Sequence, residues 1–154
     1  MKNLMLVSVI WFFGTTAIAQ TKNEESKKET TKTISQAAKN AFLNEFPNAS
    51  KVSWEAEDNM FEASFKLNNA ETSATYDAEG KKKEVETEIE INQLPEAVIK
   101  YINKNHARAK LQEAAKIVDD KNNTTFEAEV SINRVVKDLI FDSDGNFIKE
   151  IAGD

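Results

Sequence analysis

Two stretches of the chain place apolar residues three or four positions apart, the spacing of a helix that buries one side. In the first stretch these residues are Ile34, Ala38, Phe42 and Phe46. Ser35 can cap the free amide groups of this helix, and Pro47 ends it. The second stretch begins at Leu94 and Pro95 and ends near His106. Its inward-facing residues are Val98, Ile99 and Ile102.

After each predicted helix the period changes to two, the spacing of strands with one buried side. Following the first helix, the alternating apolar residues are Val52, Trp54, Ala56, Phe61, Ala63, Phe65 and Leu67. Following the second helix, they are Leu111, Ala115, Ile117, Phe126, Ala128, Val130 and Ile132. A fourth strand of the first half is marked by Val85, Thr87, Ile89 and Ile91. Asp58-Asn59 and Asn68-Asn69 are turn residues, which predicts that consecutive strands pair as antiparallel hairpins.

Nearly the same short phrase occurs twice, as YDAEGK at residues 76–81 and FDSDGN at residues 141–146. Gly80 and Gly145 hold the same position in both, and a tight hairpin needs there a positive φ that glycine accepts without a clash. A calcium loop is the alternative for the second phrase. Its glycine comes too early for an EF-hand, however, and Gly153 stands where the closing glutamate belongs. The phrases therefore predict equivalent hairpin turns in two similar units.

The order of these elements predicts an α+β protein made of two αββββ repeats, residues 34–92 and 93–154. A unit of about 60 residues buries too little surface to be stable alone. Joining the two sheets edge to edge removes two exposed edges. We therefore expect one curved antiparallel sheet of about eight strands with both helices on one face.

The beginning of the chain differs in composition from the rest. Lys2 is followed by an apolar run from Leu4 to Phe13 and by the small residues Ala17-Ile18-Ala19, which are the three parts of a secretory signal. The run is too short to span a bilayer, which takes about 20 residues. Residues 1–19 are predicted to be a signal peptide and residues 20–33 a disordered polar tether. The expected localisation is periplasmic or secreted, with no membrane anchor after signal cleavage.

Composition and charge argue against several functions. The 154 residues include no cysteine and carry a net charge of −6, so no disulfide can form and nucleic acid is not an expected partner. His106 is the sole histidine, so no two-histidine metal site can form. A serine nucleophile would need His106 as its base, and no serine lies in a G-x-S-x-G or similar motif. The sequence contains no glycine-rich phosphate loop. We expect no cofactor, no metal site and no catalytic residue, and hence a protein that is not an enzyme.

Carboxylates occupy every second position of KEVETEIEI, residues 83–91. A strand places Glu84, Glu86, Glu88 and Glu90 on one side, opposite the helices. The outward positions of the other strands add Glu55, Glu57, Glu62, Glu127, Glu129 and Asp138, with Lys66 and Lys137 beside them. This acidic face predicts a docking surface for a basic segment of another protein. Two alternatives stay open: a solvated sheet face whose charges prevent aggregation, and a site for a cation or a small ligand.

From Ile34 to Ile151 the sequence resembles tandem PepSY-like domains, also called beta-lactamase-inhibitor-like, of exported bacterial proteins. The resemblance rests on the helix ending in FPNA at 46–49, the strands KVSWEAE, FEASF and FEAEV, and the turns YDAEG and FDSDG. It implies an antiparallel sheet with helices on one side and a concave open face that binds proteins. No residues match the inhibitory loops of the beta-lactamase inhibitor itself. The expected function is a non-enzymatic protein-binding or inhibitor-like module whose partner is an exported protein or peptide.

Overall fold

The computed structural model describes residues 33–152. The element bounds are α1 Gln36–Glu45, β1 Ser50–Glu57, β2 Met60–Leu67, β3 Ala70–Tyr76, β4 Lys82–Glu88, the 3-10 helix Ile91–Gln93, α2 Glu96–Asn105, β5 Lys110–Asp119, β6 Thr124–Ile132, β7 Val135–Asp142 and β8 Phe147–Ala152. The strands form one antiparallel sheet in chain order, so the predicted α+β fold is confirmed. Within this range, neither helix is long and apolar enough to cross a membrane. The predicted signal peptide, 1–19, and all but the last residue of the predicted tether, 20–33, lie outside the described residues.

Helix α1 begins at the predicted cap and covers the first half of the sheet. The Ser35 side chain accepts hydrogen bonds from two amides of the first helical turn, at 3.2 and 3.4 Å. Ala38 and Phe42 are buried against β2 and β3. The Phe42 ring lies 4.9 Å from that of Phe65 and 5.4 Å from that of Trp54, centroid to centroid. Trp54 is therefore part of this core, as its place in the alternation of apolar residues along the strand predicts.

Helix α2 covers the second half of the sheet in the same way. Val98 and Ile102 are its buried residues. The strand residues buried beneath it are Ala114, Ala128, Val130, Leu139 and Phe141. Ala74, beneath α1, pairs with Val85, and Val85 pairs with Val118, which has the same parity as the residues beneath α2. Both helices therefore lie on one face of the sheet, as predicted.

Strands β4 and β5 join the two halves. Their register places Glu86 opposite Ile117. At the neighbouring turns, Lys81 Nζ lies 2.6 Å from Asp120 Oδ2. The two halves are thus joined edge to edge, as the sequence predicts, while their origin as a tandem repeat stays a prediction.

A bulge in β5 changes which face its apolar residues share. The register shifts between Leu111 and Glu113, so Gln112 is an extra residue in the strand. Leu111 packs in the core beneath α2, whereas Ala115 and Ile117 lie on the opposite face. The prediction that Leu111, Ala115 and Ile117 share one face is wrong, because the extra residue reverses the alternation.

Strand β4 ends at Glu88, earlier than the predicted fourth strand. The Glu90 amide donates a hydrogen bond to Gln93 Oε1 at 2.8 Å, and Ile91 begins the 3-10 helix. The prediction that Glu90 and Ile91 belong to the strand is wrong, because the chain leaves the sheet at this point to reach α2.

The two repeated phrases form the predicted hairpin turns. The angle φ is 81° at Gly80 and 83° at Gly145. In each turn the first aspartate accepts main-chain amides, as when Asp142 Oδ1 accepts a hydrogen bond from Asn146 at 2.8 Å. The turn between β5 and β6 is built alike, with Asn122 at a φ of 63° in the glycine position. The positive φ predicted from the sequence is confirmed.

Candidate binding face

The side of the sheet opposite α1 and α2, named the open face, carries most of the predicted acidic residues. The register places Glu55 opposite Glu62 across β1 and β2, and Glu86 opposite Ser73 across β3 and β4. Charged residues of this face include Glu55, Glu62, Lys66, Glu71, Glu84, Glu86, Glu88, Glu113, Asp119, Glu127, Glu129, Asp138 and Lys149. Acids clearly outnumber bases in this set.

Most of the glutamates predicted to form the binding surface share the open face. They are Glu55, Glu62, Glu84, Glu86, Glu88, Glu127 and Glu129. Glu57 has the same parity as Glu55 in β1, and its side chain lies outside the described part of the chain. Glu90 lies beyond the end of β4, so the prediction that it shares a strand face with Glu84 is wrong. The binding role of these residues stays a prediction.

Three other charged residues were expected on this face. Asp138 and Lys66 lie there, and Lys66 Nζ is 2.6 Å from Glu71 Oε1. Lys137 lies on the helix side, where it pairs with Glu150. The placement of Lys137 on the open face is wrong, because adjacent positions of a strand point to opposite sides.

Solvent exposure divides the open face into a rim and an interior. Glu55 and Glu88 are exposed. In contrast, only 8% of Glu62, 7% of Glu127 and 1% of Asp138 is accessible to solvent. These three residues lie on the side away from both helices of the described chain. The open face therefore has buried acidic residues beside exposed ones.

Four acids from the open face act by their charge on Glu86, and the five together are named the acid cluster: Glu62, Glu84, Glu86, Glu127 and Asp138. Burial raises the pKa of Glu86 well above the ordinary value of a glutamate. The charges of Glu127, Glu62, Glu84 and Asp138 raise it further. Glu86 therefore keeps its proton to a higher pH than a solvated glutamate would.

Charges outside the cluster also act on the open face. Burial raises the pKa of Glu84, while the charge of Lys149 lowers it and that of Asp119 raises it. Burial and the charge of Glu113 raise the pKa of Glu129. Lys149 on β8 thus acts on Glu84 on β4, although three other strands separate them in the sheet.

Sequence reasoning missed Glu113 and Lys149 as residues of this face. Because of the bulge at Gln112, the alternation along the sequence did not show that Glu113 lies on this face. Lys149 could have been found, because it lies 65 residues after Glu84, the same spacing that separates Gly80 from Gly145.

A polar groove of about 530 Å³ opens at one end of the sheet. Its polar lining includes Asn68, Asn69, Glu88, Glu90, Gln112 and Glu113. Glu88 and Glu113 also belong to the open face, so the groove continues the acidic surface. A volume of this size accommodates a small ligand or several side chains of a bound segment.

No group of three or more Asp, Glu or His residues between positions 33 and 152 is arranged to hold a metal ion. His106 follows α2, at the helix end where the sequence places it. Its amide donates a hydrogen bond to the Ile102 carbonyl oxygen at 2.8 Å, and its ring lies 6.0 Å from that of Tyr101.

Three solved structures from Bacteroides share this fold. A DUF2874 family protein from Bacteroides uniformis superposes with a TM-score of 0.70 at 17% identity, over 77% of this chain and 89% of that one. A protein from Bacteroides eggerthii, provisionally described as periplasmic, gives 0.69 at 13% identity, over 76% and 87%. A BLIP-like protein from Bacteroides fragilis gives 0.63 at 25% identity, over 78% and 89%. These likenesses support the fold.

Family membership rests on the sequence itself. A comparison with curated proteins finds no match. The model of the beta-lactamase-inhibitor-like, PepSY-like family matches residues 59–149, which is more than half of the chain. The match runs from the turn after β1 into β8 and includes the open-face residues of β2 to β7. This chain therefore belongs to the beta-lactamase-inhibitor-like, PepSY-like family.

Proposed function

We propose that this chain is a periplasmic, non-enzymatic binding module that receives a basic segment of an exported protein on its open face. The observation that carries the proposal is the convergence of carboxylates from four strands on Glu86. The charges of these acids oppose the ionisation of Glu86. A lysine or arginine side chain placed among them would remove this repulsion and add an attraction, which gives the face a preference for cationic segments.

The rim of the open face suits the first encounter with such a segment. Glu55, Glu88 and Glu113 are exposed, and the chain as a whole carries a net charge of −6. Exposed charges of one sign steer an oppositely charged partner toward the surface. The polar groove beside Glu88 and Glu113 offers space for side chains that flank the basic residues.

The compartment and the absence of catalysis are proposed on separate grounds. The family is described as beta-lactamase-inhibitor-like, which favours binding over catalysis. The provisional description of the Bacteroides eggerthii protein as periplasmic agrees with the signal peptide predicted at residues 1–19. The basic chemistry of the partner is inferred from the charge of the open face.

A pair of labelled peptides tests the proposal directly. One is rich in lysine and the other, of equal length, is rich in glutamate, and their binding is measured by fluorescence anisotropy. We expect only the lysine peptide to bind, and added salt should weaken its binding. Glu88→Lys should weaken it about tenfold or more, because the substitution places a positive charge on the rim.

Glu79→Lys is the matched control, since Glu79 is an exposed glutamate in the turn between β3 and β4, outside the open face. Equal binding of both peptides, or an equal loss in both variants, would contradict the proposal. If only the lysine peptide binds, a photo-crosslinking residue at position 55 or 88 would identify the natural partner in the periplasm.

A further inference from the structure

Four exposed basic residues, named the basic edge, lie at the end of the sheet where β5 begins. Lys104 is in the last turn of α2, Arg108 is in the turn that follows this helix, and Lys110 is the first residue of β5. Arg134 is in the turn between β6 and β7, just beyond Ser131, which pairs with Lys110. None of the four forms an ion pair with another residue of the described chain.

The first half of the molecule builds the same helix end and turn without these charges. The amides of Phe46 and His106 each donate a hydrogen bond of 2.8 Å to the carbonyl oxygen four residues earlier. Neutral residues, all exposed, stand where the second half has its basic residues of α2, the turn and β5: they are Asn44, Asn48 and Ser50. The fold therefore does not require the basic edge, which leaves its charges available for an interaction.

Acidic residues of the polar groove lie beside the basic edge. Glu113 follows Lys110 in the same strand at a distance of about 10 Å. Leu111 packs beneath α2, so Lys110 points to the opposite side, which is the open face, as Glu113 does. Glu88 and Glu113 are exposed, and neither forms an ion pair within the described chain. This end of the sheet thus presents both signs of charge side by side.

We propose that the basic edge docks in the acidic groove of a second copy of this chain, so that two copies form a dimer with two-fold symmetry. The inference rests on the proposed function, since it names the exported protein whose basic segment the open face receives. A two-fold axis at this end of the sheet sets the basic edge of each copy against Glu88 and Glu113 of the other. Every contact is then made twice, and the assembly closes at two copies. The groove of about 530 Å³ has room for the side chains of Arg108 and Lys110.

A second copy fits this end of the molecule better than an anionic lipid surface does. Lipid phosphates attract the basic edge but repel Glu88 and Glu113 beside it, and the chain as a whole carries a net charge of −6. A second copy presents acids to the basic edge and bases to the acidic groove. Charge complementarity therefore favours self-association.

Sedimentation of charge-reversal variants tests the proposal. The unmodified protein should form dimers at low salt, and about 0.5 M salt should raise the dissociation constant of the dimer about tenfold or more. The variant Arg108→Glu, Lys110→Glu and the variant Glu88→Lys, Glu113→Lys should each be monomeric, because each brings like charges together at both contacts. An equimolar mixture of the two variants should dimerise, since both contacts of the mixed dimer join opposite charges. Recovery in the mixture also shows that both variants are folded.

The matched controls are Lys121→Glu and Glu79→Lys, which reverse exposed charges in turns at the other end of the sheet. Both should dimerise as the unmodified protein does. An unmodified protein that stays monomeric, a dimer that survives both double reversals, or a mixture that stays monomeric would overturn the proposal. Binding of the monomeric protein to vesicles of anionic phospholipid would instead assign the basic edge to a lipid surface.

The lysine-rich peptide distinguishes this inference from the proposed function. The Arg108→Glu, Lys110→Glu variant retains the acids of the open face, so it should bind the peptide at least as tightly as the unmodified protein, in which a second copy competes. Added peptide should also dissociate the unmodified dimer. If the peptide binds and the unmodified protein is monomeric, the inference of a dimer fails while the proposed function stands. If neither the peptide nor a second copy binds, both fail.

Discussion

Gly80 lies directly against the main chain of Ala37 at the start of α1. A Cβ atom at position 80 would stand 2.7 Å from the Ala37 carbonyl oxygen, closer than real Cβ contacts. The Ser35 hydroxyl donates a hydrogen bond to the Ala78 carbonyl oxygen at 2.7 Å, which holds the turn in place. A Cβ atom at position 145 would stand 2.8 Å from the Ala97 side chain of α2. Each glycine thus meets two requirements, a positive φ and a close contact with a helix.

Replacing Gly80 by asparagine separates these two requirements. Asparagine tolerates a positive φ, as Asn122 shows at 63°. The added side chain at position 80 would still clash with Ala37, so we expect Gly80→Asn to lower the free energy of unfolding by about 1–3 kcal/mol. Asn122→Gly, in a turn of the same build, should change it by less than about 1 kcal/mol. Urea unfolding of both variants measures the difference, and equal losses would show that the helix contact has no energetic role.

The alternation of apolar residues sufficed to predict the two helices, the hairpins and the face covered by the helices. The bulge at Gln112 could not be predicted, because an extra residue in a strand leaves no mark in composition. The end of β4 was missed because the alternation continues through Ile91, where a cap involving Glu90 and Gln93 ends the strand pairing.

The interior of the open face was the least predictable part of the molecule. The alternation along the strands correctly predicted the side of the sheet on which Glu86 and Glu127 lie. The alternation along a strand cannot report which of the outward side chains are covered: Glu127 is buried, while Glu88 is exposed. The sequence therefore predicts an acidic face but not which of its acids are buried.

Ile140 tests whether the open face contains a packed core of its own. Truncation to alanine removes a side chain that is 1% exposed, so we expect Ile140→Ala to lower the free energy of unfolding by about 2–4 kcal/mol. Ile148→Ala is the matched control, because Ile148 on the edge strand β8 is 52% exposed, and its loss should stay below about 1 kcal/mol. Denaturant unfolding measures both. A loss at Ile140 as small as that at Ile148 would mean that the open face is not packed.

Stability should decrease as the pH rises through the range in which Glu86 ionises. Burial raises the pKa of Glu86 in the folded chain well above the ordinary value of a glutamate, 4.5, so the folded state binds the proton more tightly. Its contribution is fully present below about pH 4.5 and is lost as the pH rises through the folded pKa. At the acid end the sign is opposite, because hydrogen bonds from Asn123 and Asn146 lower the pKa of Asp119 and Asp142, and protonation of these turn residues costs stability.

Glu86→Gln should therefore have a melting temperature that falls less between about pH 5 and pH 8 than that of the unmodified protein. At the upper end of this range the variant should melt higher by roughly 3 °C or more, because one buried charge is absent. Glu79→Gln should follow the unmodified protein. Parallel melting curves for Glu86→Gln and the unmodified chain would show that Glu86 ionises as it does in the unfolded state.

Binding of a basic peptide should respond to pH in the opposite direction to stability. A lysine side chain on the open face favours the ionised form of Glu86, so binding should release protons. The affinity for a lysine-rich peptide should therefore increase between about pH 5 and pH 8, by up to roughly tenfold per pH unit for each proton released. Calorimetry in two buffers with different ionisation enthalpies counts the protons released. Glu86→Gln should flatten the dependence, whereas Glu79→Gln should preserve it. A peptide that binds with the same affinity at both pH values would place the binding surface away from Glu86, even if Glu88→Lys weakens binding.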